Sequence, residues 1–382
     1  MHQNGKPDLI FFTNIPTPYR SSFYEELGRQ GVNFKVFYMR ETEADRNWQI
    51  DQGRLKYPFY IDRGFYRMIG RFHVHFNPRL LMKLWRARAG GIVIGGAWND
   101  LDVLLLVLAK RLRLVKSKLH FWSEANYLTI GARNDNKLKS VVRRFVLNSS
   151  DGAQLRSGHM TEITLQKWRI KVNAFVDLPN TIEEGEFQIS ATEVEARYRN
   201  EIPVFLIPAR LDEKIKGIIN FFQSIGDENI RRGQFLVAGE GPDKPAIQSF
   251  IQTHGLEENI KLLGFCDTEQ MVSLYKKANV FVLPSFSDPC PLSLVEALRM
   301  KLPVLVSERC GNHFEAVSVE TDGNGFVFDP SRPEEIRAAF EALMERNEEW
   351  REMGNESGRR YDLLYGRSVV VERFIKQMAA FA

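Results

Sequence analysis

The sequence predicts an α/β protein of two doubly wound parallel-sheet domains that face each other across a cleft. Three observations lead there. The chain has 382 residues, beyond the size at which one hydrophobic core usually stops growing. Short apolar runs without alternation recur between stretches of helical periodicity, the pattern of parallel strands covered on both faces. Apolar strand character then lapses between Asn180 and Glu201, which marks a joint.

In chain order, the first half reads as strands at DLIFFTNI, NFKVFYM, GIVIGG, KLHFWSE and VNAFVDLPN. Helices fit at PYRSSFYEELGRQ, NPRLLMKLWRAR, NDLDVLLLVLAKRL, KLKSVVRRFVL and MTEITLQKW. The second half is more regular. Its strands are VFLIPAR, QFLVAGEG, NIKLLGF, VFVLPS, LPVLVS and GFVFD, and its helices GIINFFQSI, KPAIQSFIQTH, TEQMVSLYKKA, LSLVEALRM and PEEIRAAFEALMER. The predicted units are residues 1–182, a linker at 183–201 and residues 202–366, with a final helix over 367–382 that packs back on the first domain.

Hydrophobic residues make up 44% of the chain, and the apolar runs stop short of the ~18 residues a membrane span needs. The longest, LDVLLLVLAKRLRL from Leu101, reads as a buried helix. The start, MHQNGKPDLIFF, lacks the features of a secretory leader. Three scattered cysteines, Cys266, Cys290 and Cys310, suit neither a disulfide framework nor a zinc knuckle. The expected location is the cytoplasm. Charge is unevenly spread: residues 1–180 hold 29 Lys and Arg against 15 Asp and Glu, the remainder 23 against 33. A basic half of this kind suits anionic lipid or nucleic acid, and no nucleic-acid motif accompanies it.

In open parallel sheets, ligands bind beyond the carboxyl ends of the strands, so residues there are the candidates. Arg210 leaves a strand, and Lys214 and Lys216 open the following helix. Two cations beside a helix N-terminus suit a diphosphate, with a solvated basic turn as the competing reading. AGEGPDKP at Ala238–Pro245 departs from the GxGxxG pattern, so Gly239 reads as a tight turn bordering a nucleotide pocket. In LLGFCDTEQ, Gly264 permits close approach, and its main chain and that of Phe265 could meet a planar base, with a purely structural turn as the equal alternative. In PSFSDPCPLSLVEA, Asp288 follows a strand and Glu296 lies eight residues later, one turn into a helix. A carboxylate there can accept both hydroxyls of a ribose, and Asp288 can bind sugar hydroxyls. A turn initiator and a dipole-favouring Glu are the plainer alternatives.

The ordered set LPNTIE, ARLDEKIKG, FLVAGEGPDK, LLGFCDTEQMVSLYKKANVFVLPS, SDPCPLSLVEAL, LPVLVSERCGNHFEAV and DGNGFVFDP, over about residues 170–365, resembles the nucleotide-sugar-binding domain of the retaining family-four glycosyltransferases. Their GT-B fold has two facing Rossmann-like domains. The resemblance implies that Arg210 and Lys216 bind the donor diphosphate. It implies that Glu296, at the second Glu of the family's E-x7-E motif, holds the ribose, and that Asp288, at the first, contacts the transferred sugar. Pro289, Cys290, Pro291, Leu292 and Ser293 match the loop around the donor. Two departures stand out: Asp replaces Glu at 288, and Lys216 lies six residues after Arg210 where the pattern has five, so Lys214 could share its role.

The first domain resembles the family more loosely. TNIPTPYRSSFYEEL, with Asn14, Pro16, Tyr19 and Arg20, stands where many relatives have a glycine-rich loop, and Arg20 is expected to reach the phosphate region or the acceptor. Trp98 in GGAWND and Glu124 in WSEANY end two further strands. Glu124 is the candidate for polarising an acceptor hydroxyl. His120 reads as a core histidine, and the DLD at Asp100–Asp102, which looks like a metal-binding DxD, as a helix start. The resemblance therefore implies a metal-independent retaining glycosyltransferase without a cofactor, using a nucleotide-sugar donor and a glycan or lipid-linked acceptor in bacterial surface polysaccharide or lipopolysaccharide assembly. The basic helical segments WRARAG, AKRLRLVKSK and KLKSVVRRFVL are what peripheral attachment to the inner face of the plasma membrane is expected to use. The alternatives are a nucleotide-sugar epimerase or hydrolase on the same fold, and a non-catalytic partner in a glycan-assembly complex.

Overall fold

The computed structural model describes residues 8–43, 53, 55–69, 72–129, 136–199 and 202–381. The extreme N-terminal residues read for a leader, the last two residues of the expected linker and Ala382 lie outside them. The chain folds into two parallel sheets flanked by helices, the GT-B architecture.

The first sheet has seven strands: β1 (Leu9–Thr13), β2 (Phe34–Tyr38), β3 (Phe59–Ile61), β6 (Gly91–Ile94), β7 (Lys118–Ser123), β8 (Gln154–Arg156) and β9 (Phe175–Asp177), in the order β3-β2-β1-β6-β7-β8-β9. Between β3 and β6 the chain makes an antiparallel hairpin, β4 (Phe65–Ile69) with β5 (Phe72–Phe76). One sheet face packs on helices Pro78–Ala87, Leu101–Arg111 and Lys137–Leu147, through Leu80, Leu84, Val103, Val107 and Val146. The other packs on Pro18–Arg29 and Arg367–Met378, through Phe23, Tyr24, Val370 and Phe374. Because both faces are covered, β1 is apolar along its length (LIFFT) rather than alternating.

The second sheet has six strands: β10 (Val204–Pro208), β11 (Gln234–Ala238), β12 (Ile260–Gly264), β13 (Val280–Leu283), β14 (Val304–Ser307) and β15 (Gly325–Phe328), in the order β12-β11-β10-β13-β14-β15. Phe205, Phe221, Phe222, Phe235 and Phe340 fill one side of it and Leu206, Phe281, Leu294, Leu298 and Tyr361 the other. In both sheets the strand order reverses once, between β1 and β6 and between β10 and β13. Helices leave to opposite faces at these points and open a crevice at the strand ends.

The stretch read as linker is folded. Ala191–Arg197 is a helix opened by a Ser190/Glu193 capping box, and Ile182 and Phe187 join the core of the second domain. Arg197, 2% exposed, donates to the carbonyls of Tyr275, Lys276, Met300 and Lys301. It thereby satisfies the carbonyl ends of two helices.

Candidate active site

The second sheet's crevice is built by the segments that follow β10 and β13. After β10 the chain turns through the short helix Glu213–Lys216 and enters Ile218–Ile230 by way of Gly217, whose φ is 61°. A Cβ at Gly217 would lie 2.9 Å from the Phe286 ring and 3.0 Å from the Pro284 carbonyl, so only glycine permits this approach. The Ser287 amide donates to the Ile215 carbonyl at 3.1 Å, and Glu213 caps the longer helix by accepting from the Ile219 and Asn220 amides, each at 2.9 Å. With the two segments fastened together, Lys216 Nζ meets Asp288 Oδ2 at 2.5 Å, the side chains 16% and 13% exposed.

Arg210 and Lys214 are exposed at the same strand end, with no side-chain hydrogen bond or ion pair among the described residues. Gly239 and Gly264 meet where the Gly239 amide donates to the Gly264 carbonyl at 2.8 Å. A Cβ on Gly239, whose φ is 148°, would fall 2.0 Å from the Ala209 carbonyl. Phe265 beside them is 75% exposed. Pro289 is exposed, Cys290 half-buried, and Pro291 buried at the start of helix Leu292–Arg299, where Leu292 and Ser293 are half-buried. That helix start has no side-chain cap, and the first amides of a helix have no partner within it.

Glu296 touches neither Lys216 nor Asp288. Its Oε2 accepts from Tyr275 Oη at 2.8 Å, and the same hydroxyl lies 3.2 Å from the Ser293 carbonyl. Burial pushes the Glu296 carboxyl up to about 7, the Tyr275 hydrogen bond offsetting part of the effect.

The first domain presents its own strand ends. Arg20, behind β1, reaches across the reversal point: its guanidinium donates to Thr13 Oγ1 at 2.9 Å, to the Gly95 carbonyl at 3.0 Å and to Glu124 Oε1 at 3.3 Å. It lies 4.3 Å from the centre of the Trp122 ring. Arg20 is thereby held at the strand ends of the first domain, on Thr13, Gly95 and Glu124. Asn180 Nδ2 donates to the same Glu124 oxygen at 3.0 Å. Arg20, Trp98, Trp122, Glu124 and Trp168 line a cavity of about 270 Å³. The other acceptor-side candidates do not line it: Asn14 donates to Glu43 at 3.1 Å, Pro16 is buried, and the half-buried Tyr19 lies at the helix start.

His120 is 1% exposed and accepts the Ala153 amide at 2.9 Å, and burial lowers its pKa. Asp100 and Asp102 are buried and engaged: Asp100 meets His75 Nδ1 at 2.6 Å and caps its helix through the Asp102 amide, while Asp102 accepts from the amide and side chain of Asn77. The DLD is structural.

The two strand-end clusters face each other. Cys290 illustrates this: its thiol is raised far above the usual range by burial, then by the carboxylates of Glu124 from one domain and Asp288 from the other. Direct contacts cross the cleft. Asn126 donates to the Arg309 carbonyl at 2.9 Å, and Glu315 accepts the His159 amide at the start of helix His159–Lys167. Neither Asn126 nor Glu315 stood out in the sequence, because both partners are main-chain groups of the opposite domain.

Residues 192–360 match the family model for glycosyl transferases group 1. Over 181 residues the chain is 28% identical to the alpha-monoglucosyldiacylglycerol synthase of Acholeplasma laidlawii, which is 46% of this chain and 42% of that protein. It is 26% identical over 147 residues to the O-antigen chain mannosyltransferase B of Escherichia coli, 38% of this chain and 37% of that one. The matched stretch thus spans about two fifths of these curated relatives. Anabaena HepE in complex with UDP superimposes with a TM-score of 0.74 at 13% identity, over 98% of this chain and all of that one.

Proposed function

We propose that the protein is a retaining glycosyltransferase that moves a sugar from a nucleotide-sugar donor to a glycan or lipid-linked acceptor, a reading supported by the match of residues 192–360 to the family model for glycosyl transferases group 1. The observation that carries this reading is the Lys216–Asp288 pair at the second sheet's reversal point, with the Glu124-lined cavity of the first domain at the facing strand ends.

In this reading, the donor diphosphate lies at the start of helix Leu292–Arg299, whose free amides and positive end favour an anion. Arg210 offers a planar fork to one phosphate and Lys216 a point charge to the other. Donor entry opens or shares the Lys216–Asp288 pair, so the Asp288 carboxylate turns to sugar hydroxyls as the cation turns to phosphate. Glu296 takes the ribose hydroxyls, and the exposed Phe265 offers its face to the base. The acceptor sugar occupies the tryptophan-lined cavity with its hydroxyl toward Glu124. As the glycosidic bond to phosphate breaks, Lys216 and Arg210 stabilise the charge growing on the diphosphate. The departing phosphate oxygen takes the acceptor proton, and the new bond forms on the face the leaving group vacates. These cations fill the role a metal would otherwise play, and no cofactor enters.

The UDP held by HepE makes uridine diphosphate sugars the first donors to try. The glycolipid and O-antigen enzymes among the relatives support bacterial surface polysaccharide or lipopolysaccharide assembly at the inner face of the plasma membrane. Among the described residues no helix is long and apolar enough to cross a membrane. Peripheral attachment uses the outer helices of the first domain, where Trp85, Leu138 and Val141 are exposed among basic residues. The test is incubation with a panel of nucleotide sugars and acceptors, read by mass spectrometry beside calorimetry of donor binding. A glycosylated acceptor is the expected product. Free nucleotide and free sugar with no glycosylated acceptor would identify a hydrolase; an isomeric nucleotide sugar of unchanged mass, resolved by chromatography, an epimerase; and absence of binding to every donor a non-catalytic partner.

A further inference from the structure

Asn126 sits in the turn after β7, two residues beyond Glu124, and is 3% exposed. Its amide orientation is fixed: Oδ1 accepts the Leu128 amide at 2.9 Å, which leaves Nδ2 as a donor. Nδ2 faces two carbonyls of the other domain, Arg309 at 2.9 Å and Asp288 at 3.5 Å. The Asn126 carbonyl is anchored in its own turn by the amide and hydroxyl of Thr129, at 3.2 and 2.9 Å. The donor side is equally tight. Asp288 pairs with the strand-like segment at Cys310, its carbonyl accepting the Gly311 amide at 2.9 Å. A Cβ on Gly311 would stand 1.8 Å from the Pro289 carbonyl. Arg309 is tied down through its guanidinium to Asp329 and Ser331, at 3.0 and 2.8 Å. One rigid amide therefore joins the backbone of the Asp288 loop to the strand end that carries Glu124.

We propose that Asn126 is a positioning residue through which the first domain fixes the Asp288 backbone, so that the donor-side and acceptor-side carboxylates are held at a set separation while the domains are docked. Its catalytic consequence rests on the glycosyltransferase reading above; its structural content does not. Replacement by alanine removes the donor. Replacement by aspartate keeps the shape and sets a carboxylate against two carbonyl oxygens.

The experiment compares the intact protein with Asn126→Ala and Asn126→Asp by hydrogen–deuterium exchange and by transfer kinetics. Exchange is expected to rise in both variants over residues 284–293 and 307–312, the Gly311 amide included, and to stay unchanged in the helix Pro18–Arg29. Unchanged exchange over the Asp288 loop overturns the proposal whether or not the protein turns over any donor. In kinetics, kcat is expected to fall about ten- to a hundredfold, as a displacement of about 1 Å at a reacting centre does, with the donor KM within about twofold of wild type. The aspartate variant should be the slower of the two. If Asn126 merely fills space, the isosteric aspartate outperforms alanine, and that order overturns the proposal. Should the alanine variant not fold, aspartate alone carries both measurements. A wild-type protein inert toward every donor would defeat the glycosyltransferase reading and leave the exchange result to decide the structural one.

Discussion

Lys216 and Asp288 neutralise each other at 2.5 Å in a site with little solvent, so each is preorganised by the other before a donor arrives. Truncating Lys216 leaves the backbone untouched but removes the charge proposed to stabilise the departing diphosphate. Lys216→Ala should lower kcat by roughly a hundredfold or more, the scale of losing one oxyanion-type donor, with a melting temperature close to wild type. Wild-type turnover in that variant would remove Lys216 from the reaction. Glu296 gives a pH prediction. Its folded carboxyl titrates near 7 against an ordinary 4.5. Raising an acid's pKa on folding favours the protonated form, so the stability present below the ordinary range is lost as pH rises through about 7. The loss is on the order of 3 kcal/mol, and Glu296→Gln escapes it while keeping an acceptor for Tyr275. Melting curves should show the variant more stable at pH 8, with the gap closing toward pH 4. A constant gap across that range would contradict the titration. At this scale the candidates were legible where a residue stands just after a strand, as Arg210 and Asp288 do. Their partners were not, because a side chain's nearest neighbour comes from another part of the chain.

The turn around Gly217 decides whether the two halves of the proposed donor site meet. Its left-handed backbone and the contact with Phe286 and Pro284 leave no room for a methyl group. Gly217→Ala should cost about 1 to 2 kcal/mol from the backbone alone, more with the clash, and should loosen Lys216 from Asp288. Urea unfolding together with nucleotide titration measures both, and a variant matching wild type in each would show that the turn is not needed. The recurring strands and helices of the second domain were readable because apolar period and turn residues are local properties. Three elements of the first domain were not. The three-residue strands β3 and β8 are too short to show a period, and they exist because neighbouring strands supply their hydrogen bonds. The β4–β5 hairpin places Arg67, His73 and His75 inside FYRMI and FHVHF, and so differs from the continuous apolar runs of the main sheet. Helix Ala191–Arg197 carried a legible signal, Ser190 three residues before Glu193, in a stretch with few apolar residues to give it a face.

The chain passes between the domains twice. After Leu178 it enters the second domain, and from Gly366 it returns as helix Arg367–Met378, which buries Val370, Val371, Phe374 and Met378 against Phe11, Phe23 and Tyr24. Four such side chains contribute roughly 2 kcal/mol each, so the final helix is part of the first domain's core. A chain ending at Gly366 should show a lower first transition in calorimetry while the second domain keeps its own. Unaltered melting would mean that the helix is a passenger. The sequence by itself determined the alternation of strands and helices, the division into two sheets and the residue types at the strand ends, because these follow from local periodicity and turn chemistry. Tertiary structure alone decided the encounters that make a site: Lys216 with Asp288 over 72 positions, Arg20 with Glu124 over 104, Asn126 with Arg309 over 183. Those distances are set by sheet order and by how two packed domains meet, and no short stretch of sequence contains either.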